Sequence, residues 1–487
     1  MTHNFGILNS VVVIVYLLAM ALVGLLCAGR QKSTEEYFLA GRDMPWLVVA
    51  MSMFASLTSA STFMGLPSLA YNSNIAIFFG VMLSPIIAPL IIFIFYPFYR
   101  KLGITTSYEY ILHRYGRSAR FAVSTLFILA RLGWLGVVVY APALALSVAS
   151  GINLWLSIML MGLMATFYTT LGGLRAVLWT DVIQFIILCA GAVWIAVSLE
   201  NNVKNGYAEI FSIASQAGKF DVFSLKLDWF KMTSASAAFA FFFIFMQDYG
   251  VDQVTVQRLI AVKSFRGLAK AVIFNSFTDV IINALLLFIG IGLFAYYSQT
   301  HTTPPENSDA MLPYYIVTVL PNGISGLIIT AIFAAAMSSM DSGINSLSTV
   351  IINDFVKPLS KKQASDADYV KLAKVLTLVF GVLTIAMAWV VSKHDTIISA
   401  WNSFISLFNG PVLAIFLLGM LTKKASFFAW IIGTIIAMAA MVYLSYFVKI
   451  HWIYNFPICF GTSFIITFLL SNLFPAKNVD ISLTIHR

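Results

Sequence analysis

Residues 333–354 read FAAAMSSMDSGINSLSTVIIND, an apolar run that carries hydroxyls, an amide and a carboxylate. Coiled as a helix, Ala335, Ser338, Ser342, Asn345 and Thr349 recur at spacings of three and four and share one face. Ser339, Asp341 and Ser346 flank that stripe. Inside a membrane a polar stripe must face protein, water or an ion, because lipid cannot satisfy it. Two chemistries are open. Small residues allow close helix packing, with hydroxyls bonding across helices or back to their own backbone. Alternatively, the oxygens bind a cation. Asp341 in the same turns favours the cation, since a buried carboxylate without a partner is costly.

Other segments carry chemistry-bearing residues in apolar surroundings. Residues 54–71 read FASLTSASTFMGLPSLAY, with Ser, Thr, Gly and Pro crowding the middle. Pro67 removes a backbone donor and Gly65 loosens the turn before it, so the segment is expected to be a broken helix with carbonyls free to bind a cation. A kinked packing helix is the alternative. Arg131 lies about 18 Å into a long apolar stretch at helical rise, which is near mid-depth, and Trp134 follows one turn later on the same face. An inward-facing arginine is expected over one that snorkels. Asp181 opens an apolar helix, where the helix dipole alone would explain a carboxylate. Residues 245–264, FMQDYGVDQVTVQRLIAVKS, hold a second candidate break at Gly250, followed by Asp252, Gln253, Gln257 and Arg258 as a structural inner cap. Asn409-Gly410-Pro411 signals a hinge in mid-span or a static kink. Cys27, Cys189 and Cys459 have neither a disulfide framework nor a metal spacing. With no nucleophile–base set either, an enzyme is not expected.

The elements that position these groups are membrane helices. The chain has 487 residues, 60% hydrophobic and 10% charged, which describes an all-α integral membrane protein. About thirteen apolar spans are expected: 7–28, 46–70, 74–99, 119–150, 153–172, 178–198, 234–250, 268–297, 322–354, 370–392, 397–420, 425–447 and 453–474. The first lacks a basic leader and a cleavage site and is expected to be a retained span. The net charge of +9 does not point to nucleic acid, because the basic residues sit in alternate loops. Loops on one side hold twenty-two of the 29 lysines and arginines, among them Arg100, Lys101, Arg114, Arg117, Lys361, Lys362 and Lys477. That asymmetry predicts an outside N-terminus and a cytoplasmic C-terminus. The two interrupted segments sit at matching places in two runs of five spans, 46–198 and 234–420. The first enters from the inside and the second from the outside. Such a 5+5 inverted repeat, broken in its first and sixth core helices, points to a secondary transporter with a midplane site. An extra N-terminal helix (7–28) and two C-terminal helices (425–474) complete a single transporter domain.

These stretches resemble the sodium:solute symporter family, with its leucine-transporter-type fold. The marks are EEYFLAGR (35–42), YAPALAL (140–146), GGLRAVLWTDVIQ (172–184), DQVTVQR (252–258), AAAMSSMDSGINSLSTV (334–350) and NGP (409–411). YAPALAL and SLTSASTFMGLPS are similar to the monocarboxylate, iodide and multivitamin branch. RQKSTEEYF (30–38) and the serine-rich helix resemble the bacterial sialic acid symporters. The resemblance implies a main sodium site made by Ala55 and Thr58 with Ala335, Ser338 and Ser339. It also implies a second sodium set at Asp181, Ser338, Asp341 and Ser342, where Asp341 departs from a hydroxyl in the sialic acid symporters and leaves proton coupling open. The arginine that holds the sialic acid carboxylate aligns with Trp134, so Arg131, one turn away, is expected to serve in its place. Val81 stands where those symporters have a glutamine.

The expected function is a sodium-coupled symporter of the inner or plasma membrane that imports a small organic solute, carboxylate-bearing or otherwise anionic, by alternating access. Its partners are the solute, sodium ions and the bilayer, with no nucleic acid and no obligate protein partner. The solute is expected among Ser59, Thr62, Phe63, Phe78, Arg131, Trp134, Gln247, Tyr249, Asn402 and Ser406. The alternatives are a sodium- or proton-coupled carrier of a neutral sugar, inositol or amino acid, a sensor, for which too little chain follows the last span, and a passive channel.

Overall fold

The computed structural model describes residues 6–28, 34–226, 228–360, 365–393, 396–476 and 480–485. Arg30, Lys32, Lys361, Lys362, Lys477 and Arg487 of the charge argument, and the side chain of Cys27, lie outside the described residues. Among the described residues, nine helices are long and apolar enough to cross a membrane, or ten with one bent pair taken as a single span. Three further expected spans fall short of that test. The first is α1 (Ile7–Ala28), several of whose side chains lie outside the described set. The second is the start of a long helix at Leu154, and the third is a helix of 17 residues that ends at Gly250.

The bent pair is α2 (Trp46–Leu57) and α3 (Ala60–Asn72), which meet at 56°. The break therefore lies at Thr58-Ser59, two turns before the Gly65–Pro67 position that sequence suggested, and Pro67 sits inside α3. Hydroxyls explain the shift. Ser338 donates to the Ala55 carbonyl (2.7 Å) and Ser339 to that of Ser56 (3.0 Å), so the carbonyls exposed by a break at this point have donors waiting. Pro67 faces a tight packing surface instead. A Cβ on Gly290 would come within 2.8 Å of the Pro67 Cα, so the glycine lets a neighbouring helix approach α3 closely.

The next helices are α4 (Arg117–Ser150) and α5 (Leu154–Asn202). The expected spans 153–172 and 178–198 both fall within α5. Then come α6 (Ser234–Gly250), the short α7 (Gln253–Ile260) and α8 (Phe265–Thr300). The second break is where sequence put it. Tyr96 and Tyr99 donate to the carbonyls of Tyr249 (2.7 Å) and Gly250 (2.6 Å), and Asp252 caps α7 by accepting from the Val254 N–H (2.9 Å). The serine-rich α9 (Ile324–Val350) runs on into a π-helical turn, Ile351–Val356, and is buried along almost its whole length. Pro411 lies inside the continuous α10 (Ile397–Leu421), so the NGP segment does not interrupt its helix. Its carbonyl accepts from the Trp430 indole (2.8 Å).

Candidate sodium and solute site

The polar stripe of α9 meets three elements in succession. At its first part, Ser338 bonds the Ala55 carbonyl and its own Ala335 carbonyl (3.1 Å), and Ser339 bonds Ser56. Ala55, Ala335, Ser338 and Ser339 are fully buried and Thr58 nearly so. Of the oxygens expected of the main sodium site, those of Ala55, Ala335 and Ser338 meet between α2 and α9, and Ser339 bonds the neighbouring Ser56 carbonyl. They are neutral carbonyls and hydroxyls, the donor set that suits a hard cation.

One turn further, the second expected set is gathered around a cation that the protein itself supplies. Arg258 of α7 reaches Asp181 Oδ2 (3.2 Å), donates to Ser52 Oγ (2.8 Å) and bonds Ser342 Oγ. Ser52 also donates to Asp181 Oδ2 (2.5 Å), and Ser56 lies 2.9 Å from Ser342. Asp181 Oδ1 is buried and has no hydrogen-bond partner among the described residues. Asp341 is fully buried beside this group and feels the charge of Arg258. At the far end of the stripe, Gln257 donates to Asn345 Oδ1 (2.9 Å) and to the Phe38 carbonyl (2.6 Å). Gln253 accepts from the Ser107 N–H (2.8 Å). Asp252, Gln253, Gln257 and Arg258 therefore close this end of the molecule, in keeping with the cap expected from sequence.

Arg131 differs from the expectation. Its guanidinium is paired with Asp252 and lies 4.4 Å from the centre of the Trp134 ring, with the pair almost fully buried. The pair ties Arg131 to the cap, while its Nε has no hydrogen-bond partner among the described residues. Sequence treated Asp252 as part of the cap and did not connect it with an arginine 121 positions away. A third buried pair, Arg120 with Asp354, sits deeper on the same side, with Ser124 (2.6 Å) and Thr106 (2.9 Å) donating to Asp354.

On the other side of the break lies a cavity of about 100 Å³, lined by α3, α6 and α8. Of the expected solute residues, Thr62 and Tyr249 line it. Tyr249 is held there by Asn275, which donates to its hydroxyl (2.9 Å), and by Ser84 (3.0 Å). The others are placed elsewhere. Ser59 bonds Ser61, which does line the cavity. Phe63 is fully buried in the core and Phe78 packs against it. Trp134 is taken up by Arg131, and Ser406 donates to Asn402 (2.9 Å). Gln247 is buried with neither amide atom bonded among the described residues. Two lining acids lie outside the sites expected from sequence, Asp248 of α6 and Asp279 of α8. The rule that an ionisable residue within a membrane span is a candidate functional group would have found both. Asp248 stands near the C-terminal end of α6, and Asp279 lies within the long α8.

The family described as the sodium:solute symporter family matches residues 37–437. The chain belongs to this family. A sodium/sialic acid symporter of Proteus mirabilis is 36% identical over 449 residues, covering 91% of this chain and 90% of that protein. A sodium-coupled monocarboxylate transporter 2 of mouse is 31% identical over 402 residues, 80% of this chain and 64% of its own. The solved structure of a Na+-coupled sialic acid symporter in a substrate-bound outward-open state superposes with a TM-score of 0.91 at 34% identity, over 98% of this chain and all of the other. A nucleobase-cation-symport-1 transporter, Mhp1, shares the fold at 14% identity and a TM-score of 0.59, over 92% of this chain and 96% of its own. The protein is thus a multi-pass, sodium-coupled symporter of leucine-transporter-type architecture rather than an enzyme, and sodium is its coupling ion.

Proposed function

We propose that this symporter imports a small carboxylate-bearing solute across the cytoplasmic membrane, with its N-terminus outside. In that orientation the basic loops are cytoplasmic, the three buried ion pairs seal the inner half and the cavity faces outward. The main sodium sits between the α2–α3 break and α9, held by the carbonyls of Ala55, Thr58 and Ala335 and the hydroxyls of Ser338 and Ser339. It would tie the broken helix to α9 in the outward-facing state, and its loss to the cytoplasm would release them. A second sodium could use the unpaired Asp181 Oδ1, but it must share Asp181 and Ser342 with Arg258.

The solute carboxylate meets the start of α3, where Thr58, Ser61 and Thr62 line the cavity and the helix N-terminus favours negative charge. This replaces Arg131 as the anchor. The carboxylate common to sialic acid and monocarboxylates, the solutes in the names of the relatives, supports the same class. One charge crossing 100 mV is worth about 2.3 kcal/mol, so a single sodium supplies useful accumulation.

The observation that carries this reading is the pair of α9 serines bonded to carbonyls at a helix break beside a cavity. The test is uptake into proteoliposomes of labelled monocarboxylates, sialic acid, sugars and amino acids, each under a sodium gradient and under a proton gradient alone. Accumulation of carboxylates under the sodium gradient is expected. Accumulation of neutral sugars alone, or equal accumulation under the proton gradient, would overturn it.

A further inference from the structure

The cavity walls are unlike those of a site for a simple anion. Among the described lining residues are two acids, Asp248 and Asp279, and no lysine, arginine or histidine. Asp248 lies within electrostatic reach of Asp252, Arg131 and Asp279. Arg131 is committed to Asp252, so Asp248 and Asp279 have no basic side chain beside them among the described residues of the cavity wall. Asp248 makes no hydrogen bond or ion pair with a described residue. Asp279 accepts one bond at Oδ1, from Asn283 (2.7 Å). Aromatic side chains surround them, since Phe241, Phe245, Tyr249 and Trp452 also line the cavity. Carboxylates set among aromatic faces are the chemistry that recognises an ammonium group.

Other lining residues have the reverse character. Thr58 is 2% exposed, lines the cavity, and its hydroxyl has no partner among the described residues. Ser61 and Thr62 stand beside it in the first turn of α3, where the helix dipole is positive. The cavity thus has a donor-rich, positive pole at the helix break and a carboxylate pole between α6 and α8. Its volume of about 100 Å³ is well below the roughly 300–1,000 Å³ of pockets for drug-sized ligands, which favours a solute of few heavy atoms.

We propose that the solute is a small zwitterion whose carboxylate meets Thr58, Ser61 and Thr62 and whose ammonium group is bound by Asp248 and Asp279 among the cavity aromatics. An ammonium supplies the charge and three donors that two carboxylates in an apolar wall lack. A solute that is only anionic leaves those carboxylates without a counter-charge. This inference rests on reading the cavity as the solute site.

The test is calorimetric titration of the full-length purified protein in sodium with four chain-matched solutes. 4-Aminobutyrate carries both groups, 4-hydroxybutyrate and pentanoate keep the carboxylate alone, and 4-aminobutanol keeps the ammonium alone. 4-Aminobutyrate is expected to bind at least about tenfold more tightly than 4-hydroxybutyrate, with pentanoate weaker still. Asp248→Asn should collapse the ratio of the first two towards one, and Asp279→Asn should lower it. If 4-hydroxybutyrate or pentanoate equals 4-aminobutyrate in the wild type, the zwitterion inference is overturned and the carboxylate reading stands. If 4-aminobutanol matches 4-aminobutyrate, the ammonium site stands and the carboxylate reading fails. Binding of N-acetylneuraminate with none of the ammonium solutes bound would overturn the inference, because hydroxyls alone would then satisfy the two acids.

Discussion

Replacing Ser338 and Ser339 together by alanine is expected to raise the sodium concentration for half-maximal uptake by at least about 100-fold. The size follows from hydrogen-bonding groups that face a charge, each worth about 1.5–3 kcal/mol. Both hydroxyls are fully buried and both reach across to carbonyls of α2, at 2.7 and 3.0 Å. Without sodium they hold the break by hydrogen bonds. With sodium the same oxygens turn from donors to those carbonyls into ligands of the ion. Removal of the hydroxyls should therefore weaken the ion more than the fold. Ser346 is the control: it is equally buried on the same helix, but its hydroxyl bonds its own Gly343 carbonyl (2.8 Å). Ser346→Ala should leave the sodium dependence where it was. If the serines serve only close packing, the double variant would lose thermal stability with an unchanged sodium requirement. Uptake against sodium concentration, with melting temperature measured alongside, separates the two.

Arg131→Met is expected to destabilise the symporter by about 3–5 kcal/mol, because it leaves the Asp252 carboxylate buried without its counter-charge. Both partners are nearly inaccessible to solvent, so there is little water to take up the orphaned charge. Transport of every solute should fall together, whatever its charge. The double variant Arg131→Met with Asp252→Leu removes both charges and should recover most of the lost melting temperature. Its solute preference should match the wild type. A solute-anchoring arginine behaves differently: its loss would spare the fold and abolish uptake of carboxylates selectively. That pattern would return Arg131 to the solute site.

The contrast between the two predictions shows where sequence was informative. The α9 stripe was legible because helical periodicity puts Ser338, Ser342, Asn345 and Thr349 on one face, and that face contacts α2 and α7 in the same order. The second break was legible because Gly250 and Asp252 are local stop and start signals. What sequence could not supply was pairing across the fold. Arg131 reads as unpaired because its partner lies on another span, and nothing local announces Arg258 beside the Asp181 set, which the resemblance implies for a second sodium. Gly65 and Pro67 alone point further along the segment, whereas the break lies at Thr58-Ser59, beside the Ala55 and Thr58 that the resemblance implies for sodium. Its position is set by the α9 hydroxyls that satisfy the open carbonyls, and by a glycine on α8 that lets Pro67 pack inside a helix. Asp248 and Asp279 were visible as residues, but only the cavity between α6 and α8 made them neighbours.

Hydrogen–deuterium exchange in sodium against potassium tests most directly whether the ion ties the broken helix to α9. The account predicts that residues 54–62 and 334–346 both become protected when sodium replaces potassium, and that the Ser338→Ala/Ser339→Ala variant loses this response in both segments. Sodium protection confined to other helices, or kept at full strength in the variant, would contradict it.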